Sequence, residues 1–223
     1  MDWNPLFLTF KLALVTTLLL FVVSIPLAYW LAYSKSKGKP ILEAIVSLPL
    51  VLPPTVLGFY FLVAFSPNNA FGRWLEQWFG VQFVFSFTGL VIASILYSLP
   101  FMVHPIQSGL SSISPSLKEA AYVMGKSRWE TLTKVLLPNI RPSLLTGVVL
   151  AFAHTVGEFG VILMIGGSIP GKTKVASVMI YEEVEALNYD NANFYSGILL
   201  VTTFVILVVV YLVNGGYLKR FFK

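Results

Sequence analysis

The chain has 223 residues, 57% of them hydrophobic and 11% charged, with a formal net charge of +5 and no cysteine. Soluble domains carry roughly 25% charged residues, so this composition is that of an integral membrane protein. The missing cysteine excludes thiol nucleophiles, thiolate metal sites and disulfides, and the positive charge is read by location, as an orientation signal rather than a sign of nucleic-acid binding.

Five apolar stretches are long enough to cross a bilayer, at about residues 6–33, 41–65, 87–106, 144–165 and 194–213. They predict an all-α membrane protein, a polytopic helical bundle of five transmembrane helices forming a single domain over 1–223. The first stretch is flanked by Trp3 at one end and by Tyr29, Trp30 and Tyr33 at the other, rings suited to the interface. Met1-Asp2 brings no basic residue and the apolar run is too long for a cleaved signal peptide, so this segment is expected to stay as a span.

The second stretch is dense in proline. Pro49, Pro53 and Pro54, with Thr55 and then Gly58, each remove or weaken backbone hydrogen bonding, and such a break is tolerated only where protein or a water-filled cavity covers it. It reads as a pore-lining, gate-forming helix or as a kink that fits neighbouring helices. Ser98-Leu99-Pro100 predicts a similar kink in the third stretch. Between them, the loop from Asn68 to Gly80 with Phe71, Trp74, Trp78 and Phe79 predicts an interfacial amphipathic helix.

The segment 114–138 is the one long run of helix-forming, mixed-charge and moderately polar residues. Ser114-Pro115 is a cap and first-turn signature, Leu117, Ala121 and Met124 share a face at helical spacing, and Gly125 can take the left-handed conformation that ends a helix. Ser127-Arg128-Trp129-Glu130 has capping-box spacing and predicts a second short helix that stops at Pro138. Helix, glycine bend, helix is the expected result.

These residues resemble a known family. Glu119-Ala120-Ala121, three residues, Gly125, nine residues, then Val135, any residue and Leu137-Pro138 is similar to the EAA motif of permease subunits of bacterial ABC importers, with Val135 where isoleucine is usual. The resemblance implies a cytoplasmic coupling helix that docks on an ATPase subunit. Glu119, Ala120, Ala121, Gly125, Leu137 and Pro138 are then the coupling residues.

The fourth stretch carries Glu158 in Val156-Gly157-Glu158-Phe159-Gly160, and a carboxylate at that depth must be paired, protonated or turned to a cavity. His154 lies four residues earlier on the same helical face, which allows a hydrogen-bonded pair. Two ligands are too few for a metal site. Glu158 and Thr155 are read either as a gate beside the translocation path or as buried structure. Next, Gly166-Gly167-Ser168-Ile169-Pro170-Gly171-Lys172-Thr173 satisfies the Walker A pattern, yet it continues a membrane span, and neither aspartate, Asp2 or Asp190, ends an apolar strand as a magnesium ligand would. It is expected to be an exit turn. Val175 to Leu187 predicts an external helix bearing Glu182, Glu183 and Glu185, with 188–193 as loop; it is a solvated face or a contact for a binding protein.

Basic residues orient the bundle. Lys35, Lys37 and Lys39, the EAA group Lys118, Lys126, Arg128, Lys134 and Arg141, and the C-terminal Lys219, Arg220 and Lys223 fall on one side. The other side has Arg73, Lys172 and Lys174, with Lys11 able to snorkel from the first stretch. The positive-inside rule then puts the N-terminus outside and the C-terminus in the cytoplasm.

The proline-rich second stretch, the EAA segment, Gly157-Glu158-Phe159-Gly160 and the Ile169-Pro170-Gly171 to Thr173 turn also occur in the order seen in molybdate-type permeases. That resemblance implies a homodimer in a bacterial inner membrane importing molybdate or tungstate by alternating access. Its expected partners are two cytoplasmic ATPase subunits that hold ATP and magnesium, and an extracytoplasmic molybdate-binding protein. No cofactor is expected in this chain. The path is expected to offer hydroxyls such as Thr55, Ser94 and Thr155, since no basic residue lies deep in a span. A sulfate or thiosulfate permease is the alternative within the class; the compact size and five spans match the molybdate type better. A channel or secondary transporter without an ATPase is the alternative outside it. An intramembrane hydrolase lacks a nucleophile motif beside His104 or His154.

Overall fold

A computed structural model describes residues 2–214, with side chains to 212. The C-terminal basic group at 219, 220 and 223 lies outside the described residues. All regular structure among them is helical: α1 Asn4–Tyr33, α2 Lys39–Val51, α3 Pro54–Phe65, α4 Ala70–Phe79, α5 Phe87–Ser111, α6 Pro115–Val123, α7 Arg128–Thr131, a π-helical turn Leu132–Leu136, α8 Leu137–Asn139, α9 Arg141–Val156, α10 Gly160–Gly166, α11 Ala176–Glu185 and α12 Tyr189–Asn214.

Three of these helices, α1, α5 and α12, are long and apolar enough to cross a membrane singly. The expected second span is not one kinked helix. Pro53 and Pro54 each lack an amide, so the chain cannot carry the ladder past Val51, and α2 and α3 meet at 114°. The fourth expected span is likewise interrupted: α9 starts at Arg141, ends at Val156, and is separated from α10 by Gly157, Glu158 and Phe159. α5 runs as one helix through Pro100 and Pro105, with Pro100 buried in the bundle.

The core has two parts. Leu20, Leu31, Val46, Met102, Ile106, Leu110 and Leu136 fill one end, where α1, α2, α5 and the π turn meet. Leu12, Leu90, Val91, Ile162, Ile165 and Val178 fill the other, between α1, α5, α10 and α11. Hydrogen bonds tie the helices together at both ends of the bundle. At one end the Tyr33 hydroxyl donates to the Leu110 carbonyl at 2.9 Å, tying the ends of α1 and α5 beside α6. At the other, the Ala176 amide donates to Thr9 Oγ1 at 2.8 Å and the Tyr195 hydroxyl donates to the Asp2 carbonyl at 2.9 Å. The Lys35 to Lys39 linker and the 114–138 segment therefore share one end of the bundle, and Lys172 and Lys174 lie at the opposite end.

α4 forms where the aromatic loop predicts a helix, with the Asn69 side chain accepting from the Phe71 amide and Gly80 in the left-handed conformation as its C-cap. α11 ends at Glu185, and the expected loop 188–193 is shorter than read: Leu187, with a positive φ of 58°, turns the chain and α12 begins at Tyr189.

Candidate coupling segment and translocation cavity

In the 114–138 segment the helix ends are built as the residues dictate. Gly125 has a φ of +76°; the Lys126 amide donates to the Ala121 carbonyl at 3.1 Å and the Gly125 amide to the Tyr122 carbonyl at 2.9 Å. That pair of bonds is a Schellman ending, which needs a left-handed residue where glycine stands. Ser127 Oγ accepts from the Glu130 amide at 3.2 Å while the Glu130 carboxylate accepts from the Ser127 amide at 3.3 Å, a complete capping box. The Lys134 ammonium, 2.8 Å from Glu130, and then the Ser127 amide hold that carboxyl below its ordinary 4.5.

Two details depart from the sequence reading. Ser114 sits at the cap of α6, but its hydroxyl pairs with Ser116 at 2.7 Å instead of capping the helix. Pro138 is not a stop. The π turn before it widens the ladder, α8 passes through Pro138, and the Asn139 side-chain amide donates to the Val135 carbonyl at 2.7 Å. A π turn tolerates proline because the extra residue displaces the carbonyl that its ring would strike.

The expected shared face of Leu117, Ala121 and Met124 also divides. Ala121 is buried, whereas Met124, the C-cap whose amide still donates to the Ala120 carbonyl at 3.0 Å, is 69% exposed. Glu119, Ala120, Gly125 and Pro138 are exposed and Leu137 is half-buried. Val123, at 88% exposed, and Trp129, at 70%, were not singled out by the sequence reading. Like Met124, each is an exposed apolar residue on an otherwise polar segment, and their signal was an apolar residue on the polar face of a short helix.

The second site lies where the two broken helices meet. Pro54, Thr55, Tyr97, His154, Glu158 and Gly160 are among the residues lining a cavity of about 450 Å³. The small residues allow the approach. A Cβ on Gly160 would stand 2.9 Å from Pro54 Cβ, and one on Gly58 would stand 2.7 Å from Met164 Cβ and 3.1 Å from the Val161 backbone. Gly58 is thus a packing residue behind the cavity. Pro53 leads into it at the bend, and Pro49 lies within α2, away from its lining.

Glu158 is 4% exposed, and neither carboxyl oxygen makes a hydrogen bond of normal geometry, with Ser94 the neighbouring hydroxyl. The expected His154–Glu158 pair is absent. His154 Nδ1 is instead 2.8 Å from Ser98 Oγ on α5, and its ring stacks on Phe101 at 4.0 Å between centroids. The break at Gly157 is the reason: it takes Glu158 out of the helical register that would have set the two residues one turn apart. Thr155 is buried, donating to the Ala151 carbonyl and lying 3.1 Å from Ser98 Oγ, so it joins α9 to α5. Two polar links that the sequence reading missed secure α2 to α5: Ser47 to His104 at 3.1 Å and Gln107 Nε2 to Glu43 at 2.7 Å. Their signal is one small or charged residue per turn on the inner half of α2.

The Walker-like run folds as a closed turn. The amides of Lys172, Thr173 and Lys174 all donate to the Ile169 carbonyl, at 3.1, 3.0 and 3.1 Å. Thr173, fully buried, donates to the Gly166 carbonyl at 2.7 Å and accepts from the Ile169 amide at 3.0 Å. Amides that a phosphate cradle would present are spent within the turn.

The family model for binding-protein-dependent transport system inner membrane components matches residues 24–222. The chain is 46% identical to the molybdenum transport system permease protein ModB of Azotobacter vinelandii over 94% of this chain and 93% of that one. It is 34% identical to ModB of Escherichia coli K12, over 82% and 80%, and 31% identical to the sulfate transport system permease protein CysT of the same organism, over 89% and 72%. Among solved structures, a bacterial alginate ABC transporter in complex with its alginate pentasaccharide-bound periplasmic protein superimposes with a TM-score of 0.74 at 24% identity, covering 93% of this chain and 76% of that one. The inward-facing MetNI methionine ABC transporter gives 0.73 at 17%, over 95% and 94%. The chain is therefore a non-catalytic ABC importer permease, and it belongs to the family of binding-protein-dependent transport system inner membrane components.

Proposed function

We propose that this chain is the permease subunit of a molybdate (or tungstate) importer working by alternating access, with sulfate the nearest competing cargo. The observation that carries the cargo assignment is the 46% identity to a molybdenum permease across almost the full length of both chains, while the sulfate permease is matched over 72% of its own length. The cavity is consistent with a small ligand.

Five spans are assigned to α1, the α2–α3 pair, α5, the α9–α10 pair and α12. So few helices leave α3 widely exposed, with Phe59 at 50% and Tyr60 at 62%, and a second copy of the chain across a twofold axis is the partner proposed for that face. The end bearing Lys35 to Lys39 and the 114–138 segment faces the cytoplasm, which puts the N-terminus outside and the C-terminus inside. There the α6 helix, with Val123 and Met124 outward, is the coupling helix of a separate ATPase subunit, two of which hold ATP and magnesium. Closure of the ATPases draws the coupling helices together and turns the cavity outward, where α4 and α11 are placed to receive a molybdate-binding protein; hydrolysis resets it.

In this mechanism the residues of the cavity position rather than react. Thr55 offers a hydroxyl to the oxyanion, and Gly157 to Gly160 supply the irregular backbone that a moving gate requires. Glu158 lines the same cavity, with both carboxyl oxygens buried and without a hydrogen-bond partner. The test is anion competition in proteoliposomes with the cognate ATPase and binding protein: molybdate and tungstate should suppress uptake of labelled molybdate at concentrations where sulfate does not. Equal suppression by sulfate would replace the cargo assignment.

A further inference from the structure

We propose that the cavity between the last turn of α1 and α6 binds the headgroup phosphate of an anionic phospholipid. The Lys118 ammonium lies 3.9 Å from the centroid of the Tyr33 ring, 5.5 Å from Tyr29 and 6.0 Å from Tyr122. No carboxylate among the described residues is within ion-pair distance of it. Rings hold the cation in place without neutralising it, so its charge stays available to an anion.

The space beside it measures about 350 Å³, and its lining comprises Ser34, Lys118, Arg128 and the rings of Tyr29, Trp30, Tyr33 and Tyr122. This lining contains two cations and no acid. The adjoining cavity, of about 470 Å³, shares Lys118 and Tyr33 and adds Lys35 and one carboxylate, Glu119. Three cations thus face one acid across the pair of cavities.

Depth in the bilayer selects the source of the phosphate. Tyr33 is the last residue of α1 and Trp30, one turn earlier, is 40% exposed, so the site lies where a span leaves the membrane and where amphipathic rings mark the headgroup level. The apolar outer residues of the coupling segment, Val123, Met124 and Trp129, do not line it, and of the coupling residues only Glu119 borders the adjoining cavity. The headgroup sits in the inner leaflet if the proposed orientation holds, but the site itself requires only that this end of the bundle meet a headgroup layer. A lipid held there would bridge α1 to α6 and so bias the position of the coupling helix.

The test is native mass spectrometry of the detergent-solubilised permease–ATPase complex after incubation with equal phosphatidylglycerol and phosphatidylcholine. Each basic residue near an anionic surface contributes roughly a fivefold preference, so retention of phosphatidylglycerol should exceed phosphatidylcholine by on the order of twentyfold. Lys118→Gln should cut that preference severalfold, Lys118→Arg should keep it, and Lys37→Gln in the linker should leave it unchanged. Equal retention of both lipids, or the same loss in Lys37→Gln as in Lys118→Gln, overturns the proposal. Displacement of the lipid by millimolar inorganic phosphate would assign the site to the free anion, and displacement on adding the ATPase to the isolated permease would assign it to the partner; either result also overturns it. The readout is independent of transport, so a failed uptake assay leaves it standing.

Discussion

Pro54 of α3 and Gly160 of α10 are in contact at the point where two interrupted helices meet, and the contact leaves no room for a methyl group on residue 160. Gly58 repeats the arrangement one turn on, against Met164 and the Val161 backbone. Overpacking of this kind costs about 1–3 kcal/mol. Gly58→Ala and Gly160→Ala are therefore expected to lower the thermal midpoint of the purified complex and reduce uptake, with Gly58→Leu worse than Gly58→Ala. Gly80→Leu, whose surroundings are open, would be affected only through its positive φ.

The end of α6 and the start of α7 should respond by different mechanisms. Nothing lies within 4 Å of a Cβ on Gly125, so Gly125→Val acts through backbone strain alone, about 1–3 kcal/mol at a φ of +76°. Ser127→Ala removes the cap of α7, about 1 kcal/mol, and should raise amide exchange over residues 128–131 roughly fivefold. Glu130 is held below its ordinary 4.5, so its contribution is complete above that value and is lost only as pH falls through the lowered pKa. Coupling is accordingly expected to show no Glu130-dependent change between about pH 6 and pH 8, checked by comparing the pH profiles of wild type and Glu130→Gln.

In the Walker-like turn the lysine and the threonine should separate. Lys172→Met is expected to leave ATP-driven uptake at the wild-type level, because the amides around it serve the Ile169 carbonyl. Thr173→Ala strands the Gly166 carbonyl and the Ile169 amide, a loss of about 1–3 kcal/mol that should appear as a lower thermal midpoint with ATPase activity per folded complex unchanged. Loss of nucleotide binding in Lys172→Met would contradict this.

The helices that the sequence announced are those whose signals are local. Ser127 and Glu130, Gly125, Asn69 and Gly80 each fix a helix end through bonds reaching no more than five residues, and each could be read from spacing. The prolines at 53 and 54 announced a break, but its 114° angle depends on α10 and α5 packing behind it, which no local pattern encodes. His154 and Glu158 illustrate the same limit. Helical spacing set them on one face, while the interruption at Gly157 separated them and gave His154 to Ser98, a residue 56 positions away. The tolerance of Pro138 was hidden for a related reason, since a π turn leaves no sequence signature as plain as the proline it accommodates.

ATP energy is proposed to enter this chain through the 114–138 segment. The most direct measurement of this is ATP-driven molybdate uptake in proteoliposomes containing the permease, its ATPase and its binding protein, with Glu119→Lys compared to wild type. Glu119 is exposed beside the outward Val123 and Met124, so the reversal should spare folding and lipid insertion while abolishing uptake and its stimulation by ATP. Uptake that persists in Glu119→Lys, or that proceeds in vesicles without the ATPase, would contradict the account.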